Sequence, residues 1–174
     1  PGVTEGGAVF LQVSPFWGWS SPQLTWEDGP GFTTVQSEAG ATLRPAVMGE
    51  GLLGIEVTGG ALREGDRVTV TYGAGPAGAR ADRYAEAAST FWVAVDGDGD
   101  GVRGLLEHSP SVEVLPGPPV ALVCHLPSTV APGEPLLLTV AALDAGANLS
   151  TWEGAVQVVG QDVEIEVRAG AGEA

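Results

Sequence analysis

The sequence predicts an all-β protein built from antiparallel sheets, and three observations carry that expectation. First, 27 glycines and 13 prolines are spread along the whole chain. They punctuate short runs rich in Val, Thr and Leu, as in proteins made of many short strands joined by tight turns. Second, several runs alternate with period two. Val163, Ile165 and Val167 oppose Glu164 and Glu166, and Val68, Val70 and Tyr72 oppose Thr69 and Thr71. Such alternation gives a strand with one dry and one wet face. Third, 44% of the residues are hydrophobic, enough for a packed core, and two sheets stacked on their dry faces would form it. Together these point to an immunoglobulin-like sandwich followed by a second, partial one.

The strands expected from the pattern are 8–13, 54–57, 67–72, 90–95, 111–115, 120–126, 136–143, 155–159 and 163–167. Residues 78–88 are rich in alanine but carry no apolar stripe, so a short helix and an irregular excursion are both open there. Leu115-Pro116-Gly117-Pro118-Pro119 marks a boundary, because proline is stiff and cannot donate to a sheet ladder. The first domain is therefore expected over 1–115, a linker over 116–119 and the second domain over 120–174. An immunoglobulin-like sandwich needs about 100 residues, so the second domain is expected to be partial.

Charge narrows the classes of partner. The formal net charge is −15, from 22 acidic and seven basic residues. All seven are arginines, and no basic cluster forms. A nucleic-acid partner and an anionic membrane surface are both disfavoured, since each needs concentrated positive charge. No run of about 18 apolar residues is present for a membrane span. Pro1 opens the chain without the basic and apolar segments of a signal peptide. Cys124 is the sole cysteine, which rules out an intrachain disulfide, and its apolar surroundings suggest a buried small side chain.

The sharpest motif is Asp96-Gly97-Asp98-Gly99-Asp100-Gly101, with Val102 next and Glu107 six residues beyond Gly101. Asp96, Asp98 and Asp100 occupy positions 1, 3 and 5 of an oxygen-ligand loop, Gly101 position 6, the Val102 carbonyl position 7 and Glu107 position 12. This is calcium-loop spacing, and calcium seeks six or more oxygens at about 2.3–2.6 Å. The preceding Phe91-Trp92-Val93-Ala94-Val95 reads as a strand, so a strand-loop site is expected rather than a helical EF-hand. The competing reading is an acidic Asp-Gly turn without metal. A calcium ion would be structural here and would favour an extracytoplasmic setting; the compartment is otherwise open.

The aromatic concentration at Trp17, Trp19 and Trp26 offers a second candidate site. On a strand, Trp17 and Trp19 would share a face and could stack on a carbohydrate ring, unless they fill the core or meet a neighbouring domain. His108 and His125 are too few and too far apart for a catalytic zinc site. Cys124 and His125 are adjacent, so on a strand they point to opposite faces and form no nucleophile dyad. Gly73–Gly78 lacks the Lys-Ser/Thr of a phosphate loop. No catalytic constellation is visible.

Three stretches taken together resemble a known family. They are Ser14-Pro15-Phe16-Trp17-Gly18-Trp19-Ser20-Ser21-Pro22-Gln23, Arg63-Glu64-Gly65-Asp66-Arg67-Val68-Thr69-Val70-Thr71-Tyr72-Gly73 running on through Arg83, and Phe91 to Gly101. They resemble the N-terminal region of a bacterial family of unknown function, in which β-sandwich modules precede a domain similar to the PHP class of metal-dependent phosphoesterases. The resemblance covers roughly residues 9–143. It implies an accessory role, with a neighbouring domain of the same polypeptide as partner. The H-x-H metal motifs of such hydrolases have no counterpart here, so no catalytic residue is carried over.

Overall fold

The computed structural model describes residues 2–173. The chain is all-β, with no helix among the described residues, and its strands lie in several antiparallel sheets of the sandwich class. In chain order the strands are β1 (Gly2–Val3), β2 (Ala8–Gln12), β3 (Thr33–Ser37), β4 (Thr42–Gly49), β5 (Leu52–Gly59), β6 (Leu62–Arg63), β7 (Val68–Tyr72) and β8 (Glu86–Thr90). They continue with β9 (Trp92–Asp96), β10 (Gly104–Leu105), β11 (Ser111–Val114), β12 (Ala121–His125), β13 (Thr139–Leu143), β14 (Gly154–Gln157), β15 (Glu164–Val167) and β16 (Ala171–Glu173).

The chain divides into two compact units. One runs to Arg83 and includes Ala87–Glu113; the other comprises Tyr84–Glu86 and the residues from Val114 onward. The frame of the first unit is a five-stranded sheet in the order β10-β9-β2-β5-β4. Its register sets Val9 beside Ile55 and Val95, and Leu11 beside Leu53 and Val93. Cross-strand partners share a face, so one face of this sheet is continuously aliphatic. Leu53, Ile55 and Val57 on that face are fully buried. A core of Val3, Val57 and Leu62 is joined by Val9, Leu43, Val95 and, from β7, Val68. Val68 thus brings the β3–β7 pair onto the same core as the five-stranded sheet. At about 25 cal/mol per Å² of buried apolar surface, these side chains supply the main drive for stacking the layers.

The edges of the five-stranded sheet are protected. β4 carries Pro45 and two register shifts, and β10 is only two residues long. Prolines, bulges and short edge strands all prevent further pairing.

The second unit holds a three-stranded sheet, β12-β13-β16, and the β14–β15 hairpin. Val140, Ile165 and Val167 are buried together, with Leu138, Trp152, Val156 and Val158 packed around them. The alternation at Val163–Val167 places Ile165 and Val167 inward and Glu164 and Glu166 outward.

Of the two readings open for residues 78–88, the structure has the irregular one, up to β8 at Glu86. Without an apolar stripe to bury, alanine propensity alone does not sustain a short helix. Other sequence expectations need correction. The expected strand 90–95 is two strands broken at Phe91, whose amide donates to the Pro110 carbonyl. The expected strand 136–143 shortens to Thr139–Leu143. β12 ends at His125, opposite Thr139, and Pro127 follows, so residues 136–138 have no ladder to join. Cys124, expected inside, is exposed.

Candidate metal loop and aromatic surface

The Asp-rich segment is the connection between β9 and β10. Because these strands pair antiparallel, Gly104 opposite Val95, residues 97–103 close a hairpin loop. Asp96 is the last residue of β9 and is 6% exposed. One of its carboxylate oxygens accepts from the Gly99 amide at 2.8 Å and the other from the Gly101 amide at 2.9 Å. Asp100 accepts from the Val102 amide at 2.7 Å, and Asp98 more weakly from the Asp100 amide at 3.4 Å. The loop thus curls around Asp96, because carboxylate-to-amide bonds are stronger than neutral ones.

Glycine is required at one point above all. Gly99 has φ +79°, and a Cβ there would sit 2.7 Å from the Gly6 carbonyl oxygen. Both the left-handed backbone and the close approach exclude a side chain. The loop is also moored to the β1–β2 turn, where the Thr4 amide donates to the Gly97 carbonyl at 2.9 Å.

This folding brings together one carboxylate oxygen each from Asp96, Asp98 and Asp100, all within 4.8 Å of one another. Asp98 and Asp100 are exposed. The three could hold a metal ion. Each oxygen keeps a lone pair after its amide bond, so the internal hydrogen bonds do not consume the ligand capacity.

Glu107 does not join this group. After the loop the chain returns along β9, and the Leu106 amide bonds to the Val93 carbonyl. Glu107 is therefore carried away from the loop toward the start of β9. In a helical calcium site the residue at position 12 swings back over the ion; an antiparallel return strand takes it in the opposite direction. Val102 lies in the loop and its side chain is exposed.

The aromatic residues are separated in a way the sequence did not indicate. Trp17 lies on a turn with φ +61°, so it does not share a strand face with Trp19. It is 60% exposed, and Trp26 is 62% exposed. Trp19 is half-buried and packs edge-on against Phe91, with ring centroids 5.3 Å apart. Its indole Nε1 is buried without a hydrogen-bond partner among the described residues. Trp26 folds over Gly29, where any Cβ would meet the indole ring at 2.2 Å. The Gln23 side chain ties this turn, accepting from the Thr25 and Trp26 amides and donating to the Trp26 carbonyl.

His108 stands in the turn after β10 and His125 ends β12; neither belongs to a metal-ligating group among the described residues. Gly73–Gly78 forms an irregular connection fastened by the Ala74 amide to the Phe32 carbonyl.

One polar cluster was not anticipated from the sequence. Asp144 accepts from the Gly117, Gly146 and Asn148 amides and from the Asn148 side chain, at 2.7–2.9 Å. The Asn148 side-chain bond and the Gly117 amide hold its carboxyl down at about 2. Asn148 in turn accepts from the Ala85 amide. The available signal was Asp144-Ala145-Gly146-Ala147-Asn148, an Asx-type turn; its long-range bond to Gly117 has no local signature.

Comparison with family models, with curated proteins and with solved structures finds no match.

Proposed function

We propose that this chain is a non-catalytic, immunoglobulin-like accessory module whose Asp96–Gly101 loop holds a structural calcium ion. The observation that carries the reading is the convergence of the Asp96, Asp98 and Asp100 carboxylates in a glycine-shaped loop between two paired strands. Three carboxylate oxygens suit a hard cation. The Val102 carbonyl and water would complete the shell, without Glu107. Three neighbouring acids also repel one another when no cation lies between them. The ion would stiffen the β9–β10 connection and its mooring to Thr4.

Calcium added to chelator-treated protein is expected to raise the melting temperature by a few degrees. At ten times the dissociation constant, mass action supplies about 1.4 kcal/mol. Calorimetry with calcium, and magnesium alongside, measures this; an unchanged transition at millimolar calcium rejects the metal. The resemblance noted above supports a further part of the proposal, that the module serves a metallohydrolase-like domain of the same polypeptide. The encoding gene read beyond codon 174 tests that, and a gene without such a domain removes it.

The exposure of Trp17 and Trp26 favours a second reading, carbohydrate binding by indole stacking. Glycan-affinity electrophoresis should then show retardation that Trp17→Ala or Trp26→Ala reduces about tenfold. Unretarded mobility across plant, fungal and bacterial polysaccharides removes this reading.

A further inference from the structure

We propose that β12 is a self-association edge, through which two copies of this chain pair antiparallel and join their three-stranded sheets into one. β12 pairs with β13 through an unbroken five-residue register, and its other edge has no partner among the described residues. Among the described residues of the five-stranded and three-stranded sheets, it is the one edge longer than three residues that is left without protection. β4 has its proline and register shifts, β10 only two residues, and β16, on the far side of the same sheet, three residues ending in Glu173. Ala121-Leu122-Val123-Cys124-His125 has no acidic residue, no arginine, no proline and no bulge. Natural edges of that kind pair.

The side chains give the same indication on both faces. Leu122 and Cys124 lie across from Ala142 and Val140, which are buried, yet Leu122 is 51% exposed. Val123, on the opposite face, is 47% exposed. A strand apolar on both sides has the character of a sheet interior, not of an edge.

Charge selects a second copy as the occupant. With a net charge of −15, two copies repel over most of their surface. From Val114 to Gly133 the sequence contains no Asp, Glu or Arg. The β12 edge is therefore a place where two identical acidic chains can approach without setting carboxylate against carboxylate. A two-fold axis through Val123 would place Leu122 of each copy opposite the partner copy's Cys124, an apolar match. The two Cys124 side chains would then be diagonal neighbours, about 7–8 Å apart.

Sedimentation of the full chain in chelator, which removes any contribution from calcium, tests this. The weight-average mass is expected to climb from 17.6 kDa toward the dimer as concentration rises into the high-micromolar range, and to climb further with added salt as repulsion is screened. A short bis-maleimide should capture the dimer through Cys124. Val123→Lys and, independently, His125→Lys should each weaken association about 100-fold while leaving the circular dichroism spectrum unchanged. A monomer at about 1 mM overturns the proposal. So does a dimer indifferent to the charged variant that keeps its fold. A monomer that instead captures an added apolar strand peptide assigns the edge to a foreign strand and likewise overturns self-pairing.

Discussion

Replacing Asp96 by alanine lowers the melting temperature of the first unit by on the order of 15 °C and abolishes any calcium response. Asp96 is buried at the end of β9 and anchors the loop through two amide bonds, to Gly99 and Gly101. Bonds to a charged acceptor contribute about 1.5–3 kcal/mol each, and an amide left unpaired and shielded from water adds a further cost. Even with water replacing part of the loss, a net effect of about 3 kcal/mol follows, and a domain of this size shifts by about 4–8 °C per kcal/mol. Asp98→Asn and Asp100→Asn are the informative controls. Their side chains are exposed and make one local bond each, so the metal-free protein should keep its melting temperature within about 2 °C. The amide oxygen of asparagine can still accept that bond, and removing one of three repelling charges offsets its weakening in the solvent-exposed loop. Both variants should nevertheless lose calcium affinity. Differential scanning calorimetry of the three variants, with and without calcium, separates loop architecture from ligation. If Asp98→Asn destabilised the metal-free protein as much as Asp96→Ala, the division of roles among the three acids would be wrong.

Asp144→Ala melts the second unit on the order of 10 °C earlier and makes it less sensitive to acid. Four donors converge on this carboxylate, and one of them, the Gly117 amide, belongs to the Pro-rich segment within the second unit. The side chain therefore ties that segment to the turn after β13. The folded carboxyl titrates at about 2, below its ordinary 3.8. A depressed value stabilises the fold wherever the unfolded group is ionised, so the full contribution is present above about pH 4. It is lost as pH falls from that point through 2, once the folded carboxylate also takes up its proton. Amide exchange at Val140 and Ile165, followed from pH 5 to pH 2, should show protection falling in the wild type over this window. In Asp144→Ala protection should start lower and fall less. An equally steep fall in the variant would place the acid sensitivity elsewhere.

Much of the fold is legible in local pattern. The alternation of Val68, Val70 and Tyr72 produces β7, and that of Ile165 and Val167 produces the inward face of β15. Strands 33–37 and 42–49 went unread for opposite reasons. Thr33–Ser37 is mostly polar and acquires strand form by pairing with β7. β4 contains a proline, which argues against a strand until the strand proves to lie at an edge. The alanine-rich stretch before β8 left a helix and an irregular excursion both open, because propensity takes no account of which neighbours are available.

The candidate site shows the same division. Sequence by itself determined that three aspartates alternate with glycines after an apolar strand. That spacing sufficed to bring their carboxylates together, because a tight loop is a local object whose geometry follows from residues a few positions apart. Tertiary structure decided everything reaching beyond the loop: that Glu107 leaves along the return strand, that Gly99 lies under the Gly6 carbonyl, that Trp17 and Trp19 part company, and that β12 stays bare. Each of these depends on which strand lies beside which, and pairing is set by the burial of whole faces rather than by any short run of residues.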